Sequence, residues 1–124
     1  MDLSTLLPLD EITVAINDPK GKPTDITFTM AGPAHPATLT VDRVLADAAL
    51  KSRDTGDKSI TDIMADSESE LVGRTLGWSN VQWQGAEFPF STDNARTLYA
   101  NPALAWLRNQ VTKSLRDVNL FFPA

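Results

Sequence analysis

Two short runs of strict alternation near the N-terminus constrain this chain more than any other feature. Glu11 to Ile16 places Ile12, Val14 and Ile16 on one face. Ile26 to Met30 places Ile26, Phe28 and Met30 on one face and Thr27 and Thr29 on the other. A period of two is the mark of a half-buried strand. Between the runs lies Asn17-Asp-Pro-Lys-Gly-Lys-Pro-Thr-Asp25, dense in turn residues. The expectation is a β-hairpin over 11–30. An isolated hairpin is marginal in water, so its apolar face must be covered by the rest of the chain or by a partner. Residues 1–10 carry Leu3, Leu6, Leu7 and Leu9, interrupted by Pro8. They form either a flexible arm or a segment packed on the body.

Beyond the breaker segment Ala31-Gly-Pro-Ala-His-Pro36 the apolar spacing becomes helical. Thr38 or Thr40 is placed to cap a helix running to about Arg53, with Val41, Val44, Leu45, Ala48 and Ala49 on its apolar side. A second helical stretch runs from about Ser59 to Leu76, with stripes at Ile60, Ile63, Met64 and at Leu71, Val72, Leu76. The polar run Asp66 to Glu70 between them makes two short helices with a joint an alternative, and Gly77 suits a C-cap. Trp78 to Phe90 reads as extended or looped. Ser91 suits an N-cap, with Asp93 in the first turn, where the helix dipole favours negative charge. Asn101 and Pro102 announce the last helix, to about Asn119, with Leu104, Leu107, Val111, Leu115 and Val118 on one stripe. The expected fold class is α+β: the hairpin, then a mostly helical body of about four helices over 38–122, in a single domain of 124 residues. The expected core is Ile12, Val14, Ile26, Phe28, Val44, Leu45, Ile63, Leu71, Trp78, Phe90, Leu98, Leu107, Val111 and Leu115.

The residues that carry chemistry are sparse. There is no cysteine, which excludes disulfides, thiolate metal sites and a cysteine nucleophile. His35 is the only histidine and sits in the breaker segment, where a turn role is expected. Asp54-Thr-Gly-Asp-Lys58 fails the calcium-loop pattern, and Gly21-Lys22 lacks the other glycines of a phosphate loop. Asp62, Asp66, Glu68 and Glu70 read as a solvated helix surface. No catalytic, cofactor-binding or metal-binding residue is therefore expected, and the chain does not read as an enzyme. A net charge of -5 and a pI near 4.6 argue against nucleic acid as partner. No apolar run approaches the roughly 20 residues that span a bilayer, and residues 1–10 do not read as a signal peptide, so the cytosol is the expected compartment.

Charge and aromatic residues are unevenly spread. Asp42 to Glu70 holds eight acidic and four basic residues, whereas Thr92 onward holds four basic and two acidic. Such asymmetry suits either two solvated helix faces or contacts with a partner or a second copy. The aromatics Trp78, Trp83, Phe88, Phe90, Tyr99 and Trp106 concentrate in the C-terminal half, where core packing is the first expectation. Trp is also enriched at binding hot spots, so Trp83, Phe88, Trp106, Phe121 and Phe122 are the candidate partner-binding residues. The terminal Phe121-Phe122 pair is expected to tuck back onto the body.

The order of these features resembles a phage family. The hairpin loop Asp18-Pro-Lys-Gly21-Lys-Pro-Thr, a Gly/Pro break and two helices lead into Leu76-Gly-Trp78-Ser-Asn-Val81. Gly85-Ala-Glu-Phe88-Pro-Phe-Ser91-Thr-Asp-Asn94 follows, then Pro102 and a terminal helix closing on Asn119-Leu-Phe121. The chain looks like the tail assembly chaperones of long-tailed, siphovirus-type bacteriophages, over most of residues 11–122. The resemblance implies a non-enzymatic protein of the host cytoplasm. It would bind the tape measure protein, keep it soluble and help recruit tail tube subunits during tail morphogenesis. The alternative is a structural morphogenesis protein retained in the virion, a head–tail connector or tail completion subunit. The motifs that match look like fold determinants, so the resemblance carries over no contact residue.

Overall fold

A computed structural model describes residues 2–55 and 68–122. The expected hairpin is present as β1 (Glu11–Asn17) and β2 (Pro23–Ala31), antiparallel, with Ile12 opposite Met30 and Val14 opposite Phe28. This register puts the apolar residues of both strands on one face. Ile12, Val14, Ile16, Phe28 and Met30 are buried. The connecting loop is held by Asp18, whose Oδ1 accepts from the Lys20 and Lys22 amides at 2.9 Å each. Gly21 supplies the positive φ of 86° that the turn requires.

A third strand joins this sheet. β3 (Thr75–Ser79) pairs antiparallel with β2, giving the order β1-β2-β3. The helix expected to run to Leu76 therefore ends earlier, and Gly77 lies within a strand and caps no helix. Phe28 faces Trp78 and Thr29 faces Gly77, but Met30 faces Thr75, so Leu76 is left over as a bulge. The extra residue returns Thr75 to the buried face. There its hydroxyl bonds the Leu71 carbonyl at 2.6 Å and the Tyr99 hydroxyl at 2.7 Å.

Three of the helices bring residues to the core on this face. Four helices are described: α1 (Pro36–Thr55), α2 (residues 68–74), α3 (Thr92–Ala100) and α4 (Ala105–Arg116). The α+β class with a leading hairpin is as expected. α1 begins two residues before Thr38. His35 Nδ1 accepts from the Ala37 amide at 3.0 Å, and Pro36 stands at the first helical position. Thr38 instead donates to the Gly32 carbonyl at 2.7 Å, and Thr40 to the Pro36 carbonyl at 2.9 Å, so neither is the cap. Ser91 and Asn101 do cap, accepting from the Asn94 and Ala103 amides at 3.0 Å each. Asn101 opens a 3-10 turn, Pro102–Leu104, that leads into α4, and a second turn, Val118–Phe121, follows it.

Most of the expected core is buried or half-buried, including Leu71, Leu98, Leu107 and Val111. Val44 is the exception at 58% exposed. It borders an open hollow with Leu45, Val72 and Phe90, while its neighbour Val41 packs on α2, where Gly73 leaves room for the Val41 methyl. Ile63 lies outside the described residues, as do Ile60, Met64, Asp62 and Asp66. Glu68 and Glu70 are not simply solvated: Arg108 lies 3.8 Å from Glu68 and Arg116 3.5 Å from Glu70. Part of the charge asymmetry is thus met within the chain. In the N-terminal segment Leu3, Leu6, Leu7 and Leu9 all remain exposed. Its end is tied to the body where the Leu9 amide donates to the Phe121 carbonyl.

Candidate functional site

The chain after β3 builds a small second sheet. β4 (Gln82–Trp83) and β5 (Ala86–Glu87) form a tight hairpin. Its two central residues, Gln84 and Gly85, have φ of 53° and 82°. Two positive φ values are the signature of the primed turn whose twist matches the flanking strands. This turn holds Trp83 at the surface, 44% exposed.

Phe88 is fixed differently. Its amide donates to the Val81 carbonyl at 3.0 Å, and its own carbonyl accepts from Trp78 Nε1 at 2.7 Å. The Phe88 ring stacks on Trp78 with centroids 5.8 Å apart. Phe90 meets the same indole edge-on at 5.1 Å, and Phe28 approaches it at 5.3 Å. Trp78 therefore joins the first sheet to the segment that leads into α3. Asn94 adds a further tie, donating from Nδ2 to the Pro89 carbonyl at 2.8 Å.

These restraints leave a cleft between the small hairpin and the α3–α4 corner. Its volume is about 220 Å3, and Ile26, Val81, Trp83, Phe88, Leu104 and Trp106 are among its walls. Three of the five candidate residues, Trp83, Phe88 and Trp106, are brought together here. The other two are elsewhere. Phe121 is 2% exposed and packs in the core, with the Arg74 guanidinium 5.7 Å from its ring centroid. It tucks back as expected, and so is removed from the accessible surface. Phe122 is 39% exposed and lines a separate hollow beside Arg74 and Arg116.

Sequence reasoning missed Val81 and Leu104 as walls of the cleft; Ile26, expected in the core, does pack against it and also lines the cleft. Ile26 is half-buried, with part of its surface open to the cleft. No local signal marks these residues, since only the closure of α3 and α4 against the sheet brings them into one wall.

Arg74 and His35 serve the fold. Burial pushes the Arg74 guanidinium below its ordinary value, with Glu70 and Asp42 opposing that shift. Its Nη2 donates to the Ala31 carbonyl at 2.8 Å, tying α2 to the end of β2. His35 is occupied in capping α1. Among the described residues no three His, Asp or Glu side chains gather to hold a metal ion, and no helix is long and apolar enough to cross a membrane. Compared with protein-family models, curated proteins and solved structures, the chain matches none.

Proposed function

We propose that this chain is a non-enzymatic phage tail assembly chaperone. It binds the tape measure protein in the host cytoplasm, keeps it soluble and helps bring tail tube subunits to it. The observation that carries this reading is the apolar cleft gathering Trp83, Phe88 and Trp106. A tape measure protein is long and helical and exposes apolar faces before assembly. A partner that shields such faces needs concave apolar surface at which a helix can anchor its side chains. It also needs enough charge to keep the complex in solution, which a net charge of -5 supplies. Trp is the residue type most enriched at binding hot spots, and Trp83 is held exposed by its turn at the mouth of the cleft.

The test is co-expression with the tape measure protein of the phage that this reading implies. The tape measure protein is expected to become soluble and to co-purify with this chain. An insoluble tape measure protein, with this chain recovered in purified virions, would replace the chaperone reading with that of a structural tail component.

A further inference from the structure

The apolar cleft does not stand alone. A second hollow of about 470 Å3 adjoins it and shares Ile26, Val81, Gln82 and Phe88 as walls. Its character is different, because Asp25 and Glu87 stand at it with Asn80 and Gln82. Among the described residues no lysine or arginine lines either hollow. Among the described residues neither Asp25 nor Glu87 enters an ion pair, whereas Glu68, Glu70 and Asp93 each meet an arginine. The backbone beneath the acidic hollow is fixed. Asn80 takes a positive φ of 64° and donates from Nδ2 to the Asp25 carbonyl at 2.8 Å. Glu87 stands on β5, directly opposite Gln82 of β4.

From this pairing we infer that the two hollows form one docking site for a basic amphipathic segment of a partner protein. A bulky apolar side chain of the segment enters the cleft, and a neighbouring Lys or Arg meets Asp25 and Glu87. Volume sets the first half of that requirement. A dry apolar cavity of about 150 Å3 accepts a benzene ring, so 220 Å3 accommodates a large aliphatic or aromatic side chain. Charge sets the second half: two exposed carboxylates beside an apolar anchor attract a cation and repel an acidic segment, which discriminates among partners. The inference rests on the chaperone reading for the partner's identity, and on the two hollows alone for its chemistry.

The test uses synthetic peptides and the intact chain. A fluorescently labelled amphipathic helix of about four turns, with Leu on one face and Lys on the other, is titrated by anisotropy against its Leu/Glu twin. The Lys peptide is expected to bind and the Glu twin to bind at least about tenfold more weakly. Asp25→Asn with Glu87→Gln is expected to weaken the Lys peptide roughly fivefold, the size that two exposed ion pairs predict. Glu11→Gln with Asp47→Asn removes the same charge away from both hollows and is expected to change little. Trp83→Ala, at an exposed position that leaves folding intact, is expected to cost at least about tenfold.

Equal binding of the twin peptides would overturn the inference. So would equal losses in the two charge-removed variants, or full affinity in Trp83→Ala. These outcomes are separate from the solubility test. A tape measure protein kept soluble by a chain that ignores both peptides would sink the docking site alone. Peptide binding at the hollows with an insoluble tape measure protein would uphold the site and sink the chaperone reading.

Discussion

Tyr99 shows how one buried hydroxyl sets a pH limit on this fold. It is fully buried, and its oxygen lies 2.7 Å from Thr75 Oγ1. Thr75 has one hydroxyl proton and gives it to the Leu71 carbonyl at 2.6 Å, since a carbonyl only accepts. Tyr99 must therefore be the donor to Thr75. Burial pushes its phenol well above the ordinary value of 10.0. The folded chain then keeps a proton that the unfolded chain releases above about pH 10. Stability from this group is complete below that pH and is lost as the pH rises further, by at most about 1.4 kcal/mol per unit. Tyr99→Phe keeps the ring against Phe28, 6.3 Å away, and removes only the hydroxyl. It is expected to cost about 1 kcal/mol at neutral pH and to flatten the alkaline decline. Denaturant unfolding of both proteins at about pH 8 and about pH 11 measures this. The same decline in both would show that the phenol is not its source.

At the scale of elements, the contact of α1 with α2 depends on a missing side chain. A Cβ on Gly73 would run into the Val41 Cγ2 methyl. Valine is stiff at χ1, so that methyl cannot simply swing aside. Alanine at position 73 would gain about 1 kcal/mol of helix propensity, against roughly 1–3 kcal/mol for overpacking. Gly73→Ala is therefore expected to destabilise by up to about 2 kcal/mol. Val41→Ala introduced with it is expected to recover part of that loss, because it removes the obstructing methyl. Thermal melts of the two single variants and the double variant decide it. A Gly73→Ala protein that melts higher than the original would show that the helices have room to separate.

Elements differ in how much of them the chain shows before it folds. β1 and β2 are legible because every second residue must meet the same core, and a period of two survives any detail of packing. α3 is legible because Ser91 and Asn94 are local partners. The start of α1 is hidden because a histidine ring does the work usually done by Ser, Thr, Asp or Asn. Only Pro36 hints at the true first turn. β3 is hidden because the bulge at Leu76 breaks the alternation by which a strand is recognised. At the candidate site, Trp83, Phe88 and Trp106 stand out by residue type alone. Their meeting with Ile26 and Leu104 depends on distant closure, and no spacing along the chain encodes it.

For the molecule as a whole, the decisive question is what covers the hairpin. β1 presents Ile12, Val14 and Ile16 to the interior, and α4 packs against it. The contact is fastened at one end by Gln110, whose Oε1 accepts from the Asn17 amide at 2.9 Å while its Nε2 donates to the Asn17 carbonyl at 2.8 Å. At the other end the Phe121 carbonyl takes the Leu9 amide, and the Phe121 ring packs beside Arg74. Removing residues 102–124 deletes Leu107, Val111 and Phe121 from the core together with both fastenings. Full burial of such side chains contributes about 1.5–3 kcal/mol each, so the three alone approach the total of about 5–15 kcal/mol that holds a typical domain together. The same cut exposes the apolar face of β1, which a hairpin cannot leave in water. The truncated chain is therefore expected to lose cooperative unfolding altogether. Circular dichroism and a thermal melt of residues 1–101 test this. A soluble fragment with a sharp transition would mean that α1, α2 and α3 suffice to cover the sheet, and that the terminal segment is an attachment to a fold complete without it.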